Sequence, residues 1–305
     1  MAAVYCQAGI FLSTMALGYA LKRLGILKPE DKQVLSNLVF YVTLPAMLIG
    51  SFGSVSVDFW FVASFLLGLG VNAVMVGAGA LASRKKTPDL QALYIINCAG
   101  LNLGNIVIPF LQGFFPDGIP YLCMFDTGDS FFTLGTTYAI ARGRLGQRGG
   151  SVFSALRGIL SSLLRSIPFD VYILMTMLSL LHIRLPEPVL LAADFMGRGN
   201  GFLAMLLVGV SMDLRLDVSS LGEVIRILAV RYICAAAAAL FVWFALPAPL
   251  VMRQSLTAAV FAATPSAALI YSNRLGIRTE IAGALSPIST VLMIPMMSAV
   301  MTLTV

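Results

Sequence analysis

Charged residues are scarce in this chain, and those that interrupt its long apolar stretches are the first candidates for chemistry. Asp126 and Asp129 lie three residues apart in one such stretch. A charge at the centre of a membrane helix costs roughly 2.5–3.5 kcal/mol, and two neighbouring carboxylates hold protons more tightly than one. The pair therefore fits coupling to H⁺ or Na⁺. The plainer alternative is that both acids lie in the wet outer end of a helix that begins late.

Amides and hydroxyls form a second set of candidates, grouped around two prolines. The set consists of Asn102, Asn105, Pro109 and Gln112 in one stretch and Thr264, Pro265 and Ser266 in another. Such groups bind a carboxylate or an alkali cation without adding a fixed charge, which suits a site for substrate. The alternative is that they only tie helices together, at ~0.6 kcal/mol each in a membrane.

Two arginines lie within apolar stretches as well. Arg198, in "DFMGRGNGF", is the candidate counter-charge for a carboxylate substrate, because a guanidinium holds a carboxylate through two hydrogen bonds. Asp194, four residues earlier, offers the alternative of an ion pair on one helix face. Arg231 is expected to snorkel or to pair structurally.

The composition identifies the kind of protein that positions these residues. The chain has 305 residues, of which 59% are hydrophobic and 11% charged, and its mean hydropathy is +0.91. Soluble domains carry about 25% charged residues. The four cysteines lie in apolar stretches without paired spacing, and the single histidine offers no dyad, so we expect no metal, no cofactor and no catalytic residues. A soluble enzyme and a nucleic-acid-binding module are excluded, and the lipid bilayer is the expected surrounding.

Ten apolar segments are candidates to cross that bilayer, which takes about 20 residues per helix. They run near residues 4–21, 34–52, 59–82, 90–115, 119–141, 168–182, 188–212, 221–245, 250–274 and 280–303. With the N-terminus outside, most of the 20 lysines and arginines fall in the inner connections, as the positive-inside rule requires. We therefore expect a multi-pass protein of the cell (inner or plasma) membrane with both termini extracytoplasmic.

The two prolines also suggest an internal repeat. Pro109 lies in the fourth segment and Pro265 in the ninth, 156 residues apart. A unit of five spans that occurs twice must be inverted the second time, because five is odd. The sequence thus predicts an all-α integral membrane protein with ten transmembrane helices in a 5+5 inverted repeat: residues 1–141, a basic cytoplasmic linker with an amphipathic helix at 142–167, and residues 168–305. Coincidence between two prolines is the alternative.

Proline removes a backbone donor and displaces the carbonyl four residues earlier. Pro109 would free the carbonyl of Asn105, and Pro265 that of Phe261. Such breaks survive in hydrocarbon only beside protein or a water-filled cavity. We therefore expect the fourth and ninth helices to be broken and to cross, with their ends converging on a polar site near the midplane.

Several motifs together resemble the auxin efflux carrier family over essentially the whole chain. "NCAGLNLGNIVIPFLQGFF" is similar to the fourth-span motif of that family, and "TPSAALIYSNRLG" to its ninth-span motif. "LVFYVTLPAMLIGSF" and "LLVGVSMDL" resemble its second and seventh spans. The resemblance places the substrate site at Asn105, Pro109 and Pro265. The resemblance assigns no role to Asp129 or Arg198, so their roles depend on the physical argument.

The resemblance implies a compact carrier of small organic anions, such as dicarboxylates or auxin-like carboxylates, on the fold shared with bile acid–sodium symporters. It also implies that a homodimer is one expected assembly. The alternative within transport is a sodium-coupled symporter of a larger amphipathic acid. An intramembrane enzyme is disfavoured because a nucleophile with a base, or paired metal ligands, is missing from the sequence pattern. A receptor is disfavoured because there is no sizeable soluble domain.

Overall fold

A computed structural model describes residues 2–28, 30–52, 58–146, 167–181, 183–212 and 220–304. The regular structure in these ranges is helical throughout, which confirms the all-α prediction for them. Most of the predicted linker, residues 147–166, lies outside the described residues, as does His182.

The first half of the described chain contains eight α-helices. They are α1 (Ala2–Arg23), α2 (Asp31–Leu38), α3 (Leu44–Phe52), α4 (Phe59–Ala82), α5 (Pro88–Cys98), α6 (Ile108–Gln112), α7 (Ile119–Phe131) and α8 (Thr137–Arg144). Five-residue π-helical turns join α2 to α3 (Val39–Thr43) and α7 to α8 (Phe132–Thr136), and a third (Leu103–Val107) leads into α6. Such turns occur frequently at functional sites.

The second half contains seven α-helices. They are α9 (Ile167–Leu180), α10 (Glu187–Arg198), α11 (Asn200–Ser211), α12 (Leu221–Leu240), α13 (Leu250–Ala259), α14 (Ser266–Leu275) and α15 (Thr279–Thr304). A π-helical turn, Phe241–Ala245, extends α12.

Four helical stretches among the described residues are long and apolar enough to cross a membrane without interruption. They are Asp31–Ser51, Phe59–Ala82, Leu221–Ala245 and Glu280–Thr304. The predicted fourth and ninth spans each consist of two helices, α5 with α6 and α13 with α14, separated by non-helical residues. Candidate membrane-spanning helices are therefore present among the described residues, while the count of ten spans and the inverted repeat stay predictions.

The helices pack in two groups. In the first group, α1 packs on α11, α11 on α2, and α3 on both α9 and α10. In the second, α4 packs on α5, α7 and α12, while α15 packs on α12, α13 and α14. The groups meet where α1 contacts α15 and where α11 contacts α6 and the π-helical turn before it. Both interrupted spans belong to the second group.

Glycine allows the closest helix pair of the second group, α4 against α7. A Cβ at Gly68 would collide with the carbonyl oxygen of Phe125, and a Cβ at Gly128 with that of Phe65. Small residues allow membrane helices to approach backbone to backbone, where van der Waals packing replaces the hydrophobic effect as the main attraction. This contact fixes α7, and with it the two aspartates, against α4.

We expect Gly68→Ala to lower the stability of the detergent-purified protein by roughly 1–3 kcal/mol, because the added methyl group forces the two backbones apart. The matched control is Gly70→Ala in the same helix, where a Cβ meets nothing within 4 Å. Alanine at that position should raise stability by roughly 0.5–1 kcal/mol through its higher helix propensity. Thermal unfolding of both variants is the measurement, and equal effects would contradict the packing described.

Candidate functional site

The first helix break separates α5 from α6. The helix stops at Cys98, residues 99–102 are not helical, and a helix resumes at Leu103. Gly100 has a φ of +76°, a left-handed conformation that glycine adopts without strain. The prediction that Pro109 breaks this span is therefore wrong. Pro109 is buried in the first turn of α6, directly after a π-helical turn whose altered hydrogen bonding accommodates the missing donor.

The second break separates α13 from α14. The helix ends at Ala259, and residues 260–265 form a buried non-helical segment. Pro265 is the N-cap residue of α14 with extended backbone angles (φ −70°, ψ 148°). Proline fits here because an N-terminal position needs no intrahelical donor. Pro265 thus marks the break, as the sequence analysis predicted.

The two breaks touch each other. The backbone N–H of Asn102 donates to the carbonyl of Ala263 at 3.0 Å. Gly100 lies against Pro265, so that a Cβ on this glycine would be 2.8 Å from the Cγ atom of the proline. Two segments far apart in sequence therefore share one small polar region among the buried helices.

Arg231 of α12 donates hydrogen bonds to main-chain carbonyls where the two breaks meet. Its side chain is fully buried, and its guanidinium donates five hydrogen bonds to main-chain carbonyls from both breaks. Nη1 reaches the oxygens of Asn97, Cys98 and Ala99 at 3.3, 3.1 and 3.4 Å, and Nη2 those of Ala262 and Ala263 at 2.8 and 2.9 Å. Arg231 therefore does not snorkel. These carbonyls are also not those of Asn105 and Phe261, because the first break lies before Pro109.

Asp129 and Asn72 hold the N–H groups of the first break. Asp129 Oδ1 accepts from the backbone N–H of Leu101 and from Asn72 Nδ2, both at 2.8 Å, and Oδ2 accepts from Thr133 Oγ1 at 2.8 Å. Asn72 Oδ1 accepts from the backbone N–H of Gly100 at 2.7 Å. Asp129 is only 1% exposed, so it does not lie in a wet helix end. Its carboxylate completes the backbone hydrogen bonding of the break.

Asp126 is placed differently, although it lies on the same helix. Its side chain is half-buried, and a Cβ at Gly104 would lie 4.0 Å from its Oδ2 atom. The carboxylate thus faces the π-helical turn that follows the first break. Within the described ranges, no hydrogen bond ties up its oxygens, which leaves this carboxylate free to bind a proton or another ligand.

The second break has its own side-chain partners on α15. The backbone N–H of Thr264 donates to Ser289 Oγ at 3.0 Å, and the two hydroxyls are also 3.0 Å apart. Ser289 Oγ donates onward to the carbonyl of Ser286 at 3.0 Å. The backbone N–H of Ala263 points to Met293 Sδ at 3.2 Å.

The remaining predicted residues are distributed as follows. Asn102 and Gln112 are half-buried on the interrupted fourth span, and Ser266 is exposed in the first turn of α14. The backbone of Asn105 lies in the π-helical turn, and its side chain is outside the described set. Arg198 is exposed and pairs with Asp194 (Nη2 to Oδ2, 2.6 Å), the arrangement that the alternative interpretation predicted.

Sequence reasoning missed Asn72 and Ser289 and underrated Arg231. A signal was available for Asn72 and Arg231, because both are isolated polar residues in apolar stretches, whereas Ser289 lies among other hydroxyl residues. Asn72 and Arg231 are 159 residues apart, close to the 156 residues between the two prolines. A search for polar residues at this separation would have found the pair.

We expect Asp129→Ala to destabilise the protein by about 1–3 kcal/mol, because the N–H of Leu101 and the amide of Asn72 lose their buried acceptor. Asp129→Asn should retain most of the stability, since an amide oxygen can accept both bonds and the Thr133 hydroxyl can turn to accept from the amide nitrogen. Thermal unfolding in detergent, with exposed Asp117→Ala as control, separates the two. Equal loss in the alanine and asparagine variants would show that the charge matters more than the hydrogen bonds.

A match to a known protein family covers the first half of the chain. Residues 4–150 match the model of a family described as membrane transport protein, which is the auxin efflux carrier family. The matched region includes the first break, Asn72, Asp126 and Asp129. No curated protein matches the chain. The resemblance to the auxin efflux carrier family is thus confirmed over residues 4–150, and the match indicates a membrane transporter.

Proposed function

We propose that the chain is a secondary carrier of small organic anions, such as dicarboxylates or auxin-like carboxylates, and that the substrate binds where the two helix breaks meet. The observation that carries the proposal is the hydrogen bond between Asn102 and Ala263, with Arg231 holding carbonyls on both sides of it. In lipid, irregular backbone survives only beside protein or a water-filled cavity, and carriers use such segments as binding sites.

The electrostatics of the breaks favour an anion. One helix begins at Leu103 and another at Ser266, and the first N–H groups of a helix have no intrahelical acceptor. The positive end of each helix dipole therefore faces the meeting point. The guanidinium of Arg231 adds a full positive charge nearby, and the amide of Asn102 and the hydroxyl of Ser266 are accessible donors. Together these groups suit a carboxylate.

Contacts at similar sequence separations support the 5+5 inverted repeat and the crossing of the two broken spans. Asn102 and Ala263, which are hydrogen-bonded, are 161 residues apart. Thr43 and Asn200 are 157 residues apart, and Thr43 Oγ1 donates to Asn200 Oδ1 at 2.9 Å. Equivalent residues of two repeats touch only near the symmetry axis between them. The two contacts therefore support an axis that passes through both groups of helices.

Hydrogen bonds between helix ends support the orientation that the basic residues predict. Lys22 Nζ at the end of α1 donates to the carbonyl of Met212 at 2.7 Å, and Lys86 Nζ after α4 lies 2.8 Å from Glu223 Oε1 at the start of α12. These four ends lie on the expected cytoplasmic side. We propose accordingly a protein of the cell membrane whose termini are extracytoplasmic.

The two groups of helices suit alternating access. Both breaks belong to the group that contains α4, α5, α7 and α12 to α15, whereas Arg198 ends α10 in the other group. Movement of one group against the other would expose the site to each side in turn. The ion pair of Arg198 with Asp194 makes a role in substrate binding the weaker interpretation of this arginine.

Counterflow of labelled acids in liposomes tests the proposal. We expect malonate- or malate-like acids, or an aromatic monocarboxylate, to exchange. Inhibition only by a bulky amphipathic acid in the presence of Na⁺ would favour the sodium-coupled symporter instead. If no acid exchanges under any ion gradient, the carrier proposal is wrong.

Asn102→Ala should weaken the apparent affinity for the exchanged acid roughly 10- to 150-fold, because a hydrogen bond to a charged group contributes about 1.5–3 kcal/mol. The matched control is Asn37→Ala, an exposed amide on α2 that should leave uptake unchanged. Concentration dependence of counterflow is the measurement. An unaltered affinity in the Asn102 variant would place the substrate elsewhere.

Of the two aspartates, Asp126 is the better candidate for proton coupling, because Asp129 is committed to the first break. We expect Asp126→Asn to remove the stimulation of uptake by a pH gradient, since an amide cannot take up the proton. Replacing both aspartates with asparagine should give the same loss. Uptake measured at imposed pH and Na⁺ gradients decides the matter, and an unchanged ion dependence in the double variant rules out coupling through this pair.

A further inference from the structure

We propose that the guanidinium of Arg231 occupies a cation site made of main-chain carbonyls from both helix breaks, and that a free guanidinium ion binds there when the side chain is removed. The inference deepens the proposed function, on which its meaning for transport depends. The cation that a carrier with broken helices would otherwise recruit from solution is built into this chain.

The acceptors have the geometry of a cation site. Five carbonyl oxygens from two separate segments lie within 2.8–3.4 Å of the guanidinium nitrogens. Three of them end α5, and the other two follow α13 by three and four residues. The last carbonyls of a helix lack intrahelical donors and form the negative end of its dipole. Carbonyls at unwound helix ends are the groups that coordinate Na⁺ in other carriers.

The surroundings supply acceptors rather than a counter-ion. Within the described ranges, no carboxylate lies within ion-pair distance of Arg231, although the side chain is fully buried. The positive charge is thus stabilised by carbonyl dipoles. Nε of Arg231 and Oδ1 of Asn97 are both buried without a hydrogen-bond partner. Asn97, whose carbonyl already binds Arg231, therefore has a spare buried acceptor beside the site.

The fixed guanidinium of Arg231 affects which cations can take part in transport. An alkali cation would have to share the same carbonyls with a fixed guanidinium, which electrostatic repulsion opposes. The positive charge beside the substrate is permanent instead of being recruited with each cycle. Counterflow of the substrate acid by the unaltered protein should therefore be equally fast in Na⁺, K⁺ and choline media.

The test uses purified full-length Arg231→Ala and thermal unfolding in chloride salts of guanidinium, Na⁺, K⁺ and tetramethylammonium at equal ionic strength and low millimolar concentration. We expect guanidinium to raise the unfolding temperature of this variant in a saturable manner, since a ligand that binds only the folded state stabilises it. Tetramethylammonium, which has no donors, should have no effect. The controls are the unaltered protein and Arg226→Ala, an exposed arginine on the same helix.

The proposal is overturned if guanidinium stabilises Arg231→Ala no more than it stabilises the two controls. Arg231→Ala could be recovered only in unfolded form when no salt is added. In that case, recovery of folded protein with guanidinium, and with no other salt, supports the site. If every salt fails, counterflow by the unaltered protein decides. A requirement for Na⁺ there contradicts the proposal, and equal rates in the three media support it. Because thermal unfolding needs no substrate, a failure to find a transported acid would affect the proposed function and the counterflow comparison, and not the result with guanidinium.

Discussion

The structure depends on how backbone groups are satisfied where two helices stop inside the apolar bundle. In hydrocarbon each unpaired peptide group costs several kcal/mol. Arg231 takes five carbonyls, Asn72 and Asp129 take N–H groups of the first break, and Ser289 takes one of the second. Without these side chains the interruptions would be too costly to persist, and the polar region between them would not exist.

At both breaks, the carbonyls and the N–H groups are paired with different side chains. The ends of α5 and α13 present carbonyls, and a guanidinium with only donors meets them. The N–H groups that follow meet acceptors on α4, α7 and α15. The next helices start at Leu103 and Ser266, beside the point where the breaks meet. A permanent cation and two helix N-termini thus lie around a region that also contains the carboxylates of Asp126 and Asp129.

The sequence could predict the class of fold and the two interrupted spans, because apolar length and proline are local signals. It could not predict where the first interruption lies. That position depends on Gly100, whose left-handed backbone and contact with Pro265 arise only in the folded chain. Arg231 was detectable as an isolated charge, but its partners are carbonyls, and main-chain groups carry no sequence signature. Arg198 is an equally isolated charge in its apolar stretch, but the ion pair with Asp194 accounts for its position.

The dependence of the first break on Arg231 has a consequence for how the protein is made. The N–H groups of Gly100 and Leu101 find acceptors within the first half, but among the described residues the side chain that donates to the carbonyls of Asn97 to Ala99 lies on α12. During synthesis, the ribosome must add more than a hundred residues before that donor exists. The early spans therefore enter the bilayer before the carbonyls of the first break have their side-chain donor. The first half completes its hydrogen bonding only when α12 packs against it, so the two halves do not fold independently.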